Sequence, residues 1–160
     1  MNYERIFPKK SKLLKLFSIY CIVLLILIYG IFSSRFGWIY LEESQKGGAI
    51  LQDVITLLVW AIISAFSLNI FLKQNYYVIL KEELVHHKFT KETKYRFSDI
   101  LYVDEIYTKK HGTLLFYDKN AHRVYLVLDK ESKIIDAINK KAKNLISRDE
   151  FHKRFPTVSL

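Results

Sequence analysis

Hydrophobic and polar positions are segregated along the chain. Residues 16–32 contain no charged side chain, and residues 49–72 contain one, Asp53. At about 1.5 Å per residue, such apolar runs are close to the length needed to cross a hydrocarbon core of about 30 Å. A cleaved signal peptide is the alternative for the first run, but no small-x-small cleavage site follows it. The pattern predicts two transmembrane helices, residues 13–32 and 49–72.

The segment between the two runs, residues 33–48, is predicted to be an extracellular linker. Trp38 and Tyr40 suit a membrane interface, and Gly47-Gly48 is expected to break the chain before the second helix. Residues 1–12 are predicted to be a basic cytoplasmic segment. The residues before the first run carry a net charge of +4, from five Lys and Arg against Glu4, and the linker sums to zero. The positive-inside rule therefore predicts a multi-pass cell-membrane protein with both termini cytoplasmic.

After residue 73 the pattern changes to short β-branched and aromatic runs separated by polar turns, which predicts strands in an antiparallel sandwich or partly open barrel. A break at Asp104-Glu105 in the fourth run would give a seventh strand. The predicted strands are Asn75–Leu80, Leu84–Phe89, Lys94–Phe97, Ile100–Lys109, Thr113–Tyr117 and Arg123–Leu128.

Helical periodicity returns after Leu128. It predicts a helix over residues 130–146 with Asp129 as a plausible N-cap, and Ser147 with Glu150 forms a capping-box sequence for a second helix over 148–154. The fold class is therefore a membrane α-hairpin plus an all-β unit, residues 73–160, capped by C-terminal helices, which is α+β overall.

One stretch of this unit resembles bacterial pleckstrin-homology-like (bPH) domains. The similar residues are Tyr77-Val78-Ile79, Leu84, Tyr95–Ile100 and Val103, followed by the helix that ends near Leu145. Such domains often follow a two-helix hairpin in small membrane proteins of Gram-positive bacteria. The resemblance implies a PH-like fold and a protein-interaction or assembly role, and some of these proteins are associated with envelope stress or bacteriocin tolerance.

The polar residues show no catalytic arrangement. His86 and His87 are adjacent on a strand and so point to opposite faces, whereas His111 and His122 flank a predicted hairpin and could approach each other. A histidine pair without a third ligand is a poor zinc site, and no phosphate loop, HExxH or GxSxG occurs. We expect no enzymatic activity, no cofactor and no metal.

Two groups of side chains are candidates for binding. Polar and small residues on one face of the second helix suggest helix–helix packing, or alternatively the lining of a pore. The packing set is Asp53, Thr56, Trp60, Ala61, Ser64, Ala65 and Ser67. Basic residues of the C-terminal helices suggest either a solvated face or contact with anionic lipid. They are Lys133, Lys140, Lys141, Lys143 and Arg148.

Composition changes this picture only when it is divided along the chain. The net charge of +9 suggests nucleic acid as a partner, but no base-stacking motif accompanies it.

The leading hypothesis is a non-enzymatic membrane protein whose cytoplasmic domain binds a protein partner or forms a homo-oligomer. The alternatives are a small oligomeric channel or transporter subunit and a sensor of anionic lipid.

Overall fold

Two long apolar helices and a small α+β unit make up the computed structural model, which describes residues 3–32 and 46–158, with only the backbone of residues 46–50. The chain divides into two compact units. The first, here the β unit, joins the residues up to Lys12 to Gln74–Leu160, and the second is the helical hairpin Leu13–Lys73.

The hairpin consists of α1 (Lys10–Phe32) and α2 (Lys46–Lys73). The rings of Phe17 and Phe71 lie 5.6 Å apart, so the beginning of α1 packs against the end of α2. The chain break predicted at Gly47-Gly48 is wrong, because both glycines lie inside the first turn of α2. The rest of the predicted linker, with Trp38 and Tyr40, falls outside the described residues.

Both helices leave most of their apolar surface uncovered by the residues that the structure describes. Only 6% and 11% of the most hydrophobic stretches of α1 and α2 are buried. A core helix of a soluble protein would be covered by the rest of its domain, and a monomer in water rarely exposes an apolar surface this large. By length, composition and exposure the two helices are therefore candidate membrane spans.

The β unit contains two antiparallel three-stranded sheets. The first has the order β1 (Asn75–Ile79), β2 (Glu83–Lys88), β3 (Lys91–Arg96), and the second β4 (Ile100–Val103), β5 (Thr113–Asp118), β6 (Arg123–Val127). A 3₁₀ turn at Phe97–Asp99 connects them. The predicted α+β class is confirmed at this coarse level. Six strands are present as predicted, although their first and last residues differ from the predicted ones. They form two separate, open sheets.

The predicted strand Ile100–Lys109 is correct only over its first four residues. The strand ends at Val103, and α3 (Glu105–His111) follows. Asp104 starts this helix, because its side chain accepts a hydrogen bond from the Tyr107 backbone N–H at 2.8 Å. Gly112 ends it in the left-handed conformation, with φ 59°. The aromatic and β-branched residues of this segment suggested a strand, but the cap at Asp104 determines a helix.

Two hydrophobic clusters lie on opposite faces of the second sheet. The main core lies between the sheets, where α4 (Lys133–Lys141) contributes the fully buried Ile134 and Ile138. The smaller cluster lies on the other face of the second sheet, where Phe151 of α5 (Arg148–Arg154) packs against Tyr102, 5.0 Å between ring centres. A register shift between Ile100 and Tyr102 allows this short strand to contribute to both clusters.

The N-terminal segment is part of the β unit. Ile6 is 7% exposed and belongs to the main core, and its backbone N–H and C=O pair with those of Tyr77 at 2.9 and 2.8 Å. Two residues on, Pro8 bridges to Asp129 and the Lys9 N–H donates to the Leu128 carbonyl at 2.8 Å. Residues 6–9 therefore connect the outer strand of the first sheet to the end of β6.

Asp129 holds the start of α4, as predicted for an N-cap, although the helix begins four residues later. Its carboxylate is 2% exposed and accepts hydrogen bonds from the backbone N–H groups of Glu131, Lys133 and Ile134 at 2.9–3.2 Å. The predicted helix 130–146 is therefore too long, since α4 occupies Lys133–Lys141. Ser147 caps α5 through the Glu150 N–H at 3.3 Å, as the capping-box sequence predicted.

The buried position of Ile6 makes a direct prediction about stability. Replacing Ile6 with Ala should lower the free energy of unfolding of the β unit by about 3 kcal/mol, because a buried side chain is lost and a cavity remains. Urea denaturation of the detergent-solubilised protein, followed by near-UV circular dichroism, measures this. The matched control is Ile106→Ala in α3, because Ile106 is 61% exposed. Equal effects of the two substitutions would contradict the placement of Ile6 in the core.

Asp129 gives a second prediction. Asp129→Ala should cost about 2 kcal/mol in the same measurement, because three buried or partly buried N–H groups lose a charged acceptor. The control is Ser132→Ala, since Ser132 is the residue directly before α4 but makes no capping hydrogen bond through its side chain. A larger loss from Ser132→Ala than from Asp129→Ala would refute the assignment of the cap.

Candidate functional site

The polar side chains on one face of α2 contact α1 within the hairpin. Thr56 and Ser64 are 4% and 8% exposed, and the Trp60 indole Nε1 donates to the Cys21 carbonyl of α1 at 3.0 Å. The Thr56 hydroxyl lies 2.8 Å from the Gln52 carbonyl and 3.5 Å from that of Phe32. Because α1 covers these side chains, they can line a pore only if the hairpin opens.

The remaining members of the predicted packing set differ in position, because Asp53 and Ser67 share the face of Ser64 and the two alanines do not. Asp53 and Ser67 are half-buried, whereas Ala61 and Ala65 are exposed. At about 100° per residue, the two alanines lie roughly a quarter turn from Ser64. The structure therefore divides the set into a face that contacts α1 and a small-residue face, Ala61 and Ala65, that no described part of the chain covers.

The five basic residues proposed for lipid contact do not form one free patch. The Lys133 ammonium lies 2.6 Å from Glu4 and 3.0 Å from Glu131. Its pKa is raised, because both carboxylates accept hydrogen bonds from it. The Lys141 ammonium donates to the Leu80 carbonyl at 2.6 Å and lies over the Phe97 ring. Two of the five therefore make contacts within the chain, which sequence spacing alone does not reveal.

Lys140, Lys143 and Arg148 are exposed, and Lys143 lines an open cleft of about 440 Å³. Lys119, on the same cleft, pairs with Asp99 at 3.0 Å, and the Asn144 amide donates to the Ser98 carbonyl at 2.8 Å. Much of the polar lining thus makes contacts within the chain. The cleft carries no converging catalytic groups among the residues described.

The histidines have separate structural roles. His86 Nε2 lies 3.0 Å from Asn75 Oδ1, whereas His87 stacks on Tyr76, so the two rings occupy opposite faces as predicted. His111 and His122 do not approach each other. His111 lies just before β5, at the end of the strand where Thr113 pairs with Val127. His122 lies near the other end of β5, where its Nδ1 is 3.1 Å from Asp118 Oδ2. Over residues 3–32 and 46–158 no three His, Cys, Asp or Glu side chains form a group able to hold a metal ion.

A feature that the sequence did not reveal is the clustering of lysines at one end of the β unit. We call this the attachment end, because the chain joins both helices there. It is formed by the segment entering α1, the residues after α2, the β2–β3 turn, the α3–β5 turn and the residues after β6. Its lysines are Lys9, Lys10, Lys12, Lys88, Lys91, Lys109, Lys110 and Lys130.

Carboxylates at the attachment end are largely neutralised by contacts within the chain. Asp129 is buried as the cap of α4, and Glu131 pairs with Lys133. The opposite end of the same sheets differs, because its turns contain Glu82, Glu83 and Asp99 beside Lys81 and Lys119. The attachment end is therefore a basic region of the β unit, whereas the turns at the opposite end carry charges of both signs.

No family model, no curated protein and no solved structure matches this chain. What the protein can bind must therefore follow from the side chains described above and from the apolar surface of the hairpin.

His86 gives a prediction for the pH dependence of stability. Burial, with smaller contributions from the charges of Lys88 and His87, lowers the pKa of His86 from 6.5 to about 4. Between these two values the unfolded chain binds a proton that the folded chain does not, so stability should fall as pH decreases from 6.5 towards 4. His86→Phe should remove this part of the decrease, as measured by thermal unfolding at pH 7 and pH 5. An unchanged pH dependence in the variant would exclude His86 as its source.

Proposed function

We propose that this chain is a non-enzymatic integral membrane protein with two spans, whose β unit lies in the cytoplasm and acts as a protein-interaction or assembly module at the inner leaflet. The observation that carries the proposal is the uncovered apolar surface of α1 and α2, beside a small folded unit without a described catalytic or metal-binding group. The proposed activity of such a molecule is therefore binding to other molecules.

The pairing of Ile6 with Tyr77 supports a hairpin that returns to the side from which it started. Ile6 precedes α1 and Tyr77 follows α2, yet their backbones exchange two hydrogen bonds. If α1 crosses a bilayer, α2 must cross it back for the two residues to meet. The lysines of the attachment end support the cytoplasmic side for that unit, because basic residues next to spans are retained there.

A PH-like assignment of the β unit is the finer part of the proposal. Two antiparallel three-stranded sheets with a helix closing the core are loosely compatible with it. The resemblance of the strand sequences to bPH domains points in the same direction. A role in envelope stress or bacteriocin tolerance follows from this resemblance alone and is proposed on that ground.

Ala61 and Ala65 are the best-placed residues for assembly within the membrane. Lipid chains are as apolar as leucine, so spans associate where small residues let two backbones approach closely. The alanines are four residues apart, exposed, and on a different face from the side chains that contact α1. A second hairpin, from another copy or from a partner protein, would pack on this face.

Enlarging the two alanines tests this directly. Ala61→Leu combined with Ala65→Leu should shift the purified protein in liposomes towards monomers, because the added side chains keep a second helix at a distance. Counting fluorophore bleaching steps per complex at low protein density measures the stoichiometry. Cross-linking in the native membrane extends the test to a partner of different sequence.

The control is Val59→Leu, which adds bulk on another exposed position of α2 and should leave the stoichiometry unchanged. A wild-type protein that remains monomeric at every density and forms no cross-link in the native membrane would overturn the proposed assembly role.

A further inference from the structure

We propose that the β2–β3 turn, Lys88-Phe89-Thr90-Lys91, is a membrane-docking element that inserts Phe89 into the interface of an anionic leaflet. The inference rests on the proposed function to the extent that α1 and α2 span the membrane. It adds a lipid-contact site on the β unit itself, distinct from the basic residues of the C-terminal helices that the sequence suggested.

The position of the turn in the fold is the first argument. The Phe89 backbone N–H donates to the Gln74 carbonyl at 3.1 Å, and Gln74 is the residue directly after the last residue of α2. Lys88 pairs in register with both Asn75 and Lys91. The turn is thereby fixed beside the point where the chain leaves its second span, which is where the headgroups of a leaflet would begin.

The conformation of Phe89 is the second argument. Its φ is 55°, in the left-handed region that favours glycine or asparagine, and its side chain is 46% exposed. An aromatic residue at this position of a tight turn costs stability, and so does the part of its ring that stays exposed to water. Residues held in such conformations are often explained by function. Insertion into a bilayer interface, where aromatic rings are favourable, offsets both costs.

The surrounding charge is the third argument. Lys88 and Lys91 flank Phe89 on both sides, and neither makes an ion pair among the described residues. Phe7, which is 47% exposed and packs against Tyr76 at 6.1 Å, adds a second exposed aromatic ring on the segment that leads into α1. Lysine beside an aromatic side chain is the composition of interfacial anchors that bind anionic lipid. An acidic protein surface is a weaker match, because insertion of a ring requires an apolar acceptor.

The experiment uses the full-length protein in nanodiscs with Cys21→Ala, so that an environment-sensitive fluorophore can be attached to one new cysteine at a time. Thr90→Cys places the probe on the turn and leaves Phe89 in place. Glu82→Cys is the matched control, because Glu82 is exposed in the β1–β2 turn at the opposite end of the same sheet. Val23→Cys reports on the exposed middle of α1. Quenching by spin-labelled acyl chains is measured in neutral and in anionic nanodiscs.

We expect quenching at residue 23 in both lipid compositions and quenching at residue 90 that is strongest in anionic nanodiscs. Residue 82 should remain unquenched. Phe89→Asn, and separately Lys88→Gln with Lys91→Gln, should remove most of the quenching at residue 90. Asparagine tolerates the left-handed conformation, and the thermal midpoint of Phe89→Asn in detergent, measured beside the quenching, distinguishes lost docking from unfolding.

The outcomes separate the two proposals. No quenching at residue 23 would overturn the membrane span and with it the docking element. Quenching at residue 23 with none at residue 90 would overturn the docking element alone. Quenching at residue 90 that is independent of lipid charge and unchanged by both sets of substitutions would likewise overturn the docking element. A probe at residue 90 shielded only when copies associate would assign the turn to a protein contact instead.

Discussion

The backbone pairing of Ile6 with Tyr77 is the constraint on which the rest of the structure depends. It brings together residues on either side of the two helices and closes the outer edge of the first sheet. The Tyr77 side chain is 1% exposed, and its hydroxyl bonds the Val127 backbone, so the same residue also reaches the second sheet. Burial raises the pKa of this hydroxyl. A single position thus links the N-terminal segment and both sheets.

Because of this constraint, formation of the β unit requires residues from both sides of the hairpin. If α1 and α2 span a membrane as proposed, the β unit forms only when the residues on both sides of the hairpin lie on the same side of that membrane, so that its folding is coupled to the insertion of the two spans. In the proposed function, the lysines of the attachment end contribute both to the orientation of the spans and to contact with the membrane surface. On this account the apolar hairpin supplies assembly through Ala61 and Ala65, while the β2–β3 turn holds the soluble part against the leaflet.

Local patterns predicted the elements of this protein well and their long-range contacts poorly. The apolar runs, most strands and the capping roles of Asp129 and Ser147 follow from period and turn chemistry, which involve near neighbours. The helix at Glu105–His111 was missed, because one cap at Asp104 outweighed β-favouring residues. Three features depend on which distant segments of the chain come into contact: the burial of Ile6, the contacts of Lys133 and Lys141, and the clustering of lysines at one end. The residues near each position in the sequence do not reveal such contacts.

Hydrogen exchange at the Ile6 amide, in the full-length protein reconstituted in nanodiscs, tests the central claim most directly. The account predicts that the Ile6 and Tyr77 amides exchange as slowly as those of the central strand β5, since each donates to the other's carbonyl inside the β unit. It also predicts that Ile6→Asp accelerates exchange at Tyr77. Exchange at Ile6 as fast as in an unstructured peptide, with Tyr77 still protected, would contradict the account and leave the N-terminal segment outside the fold.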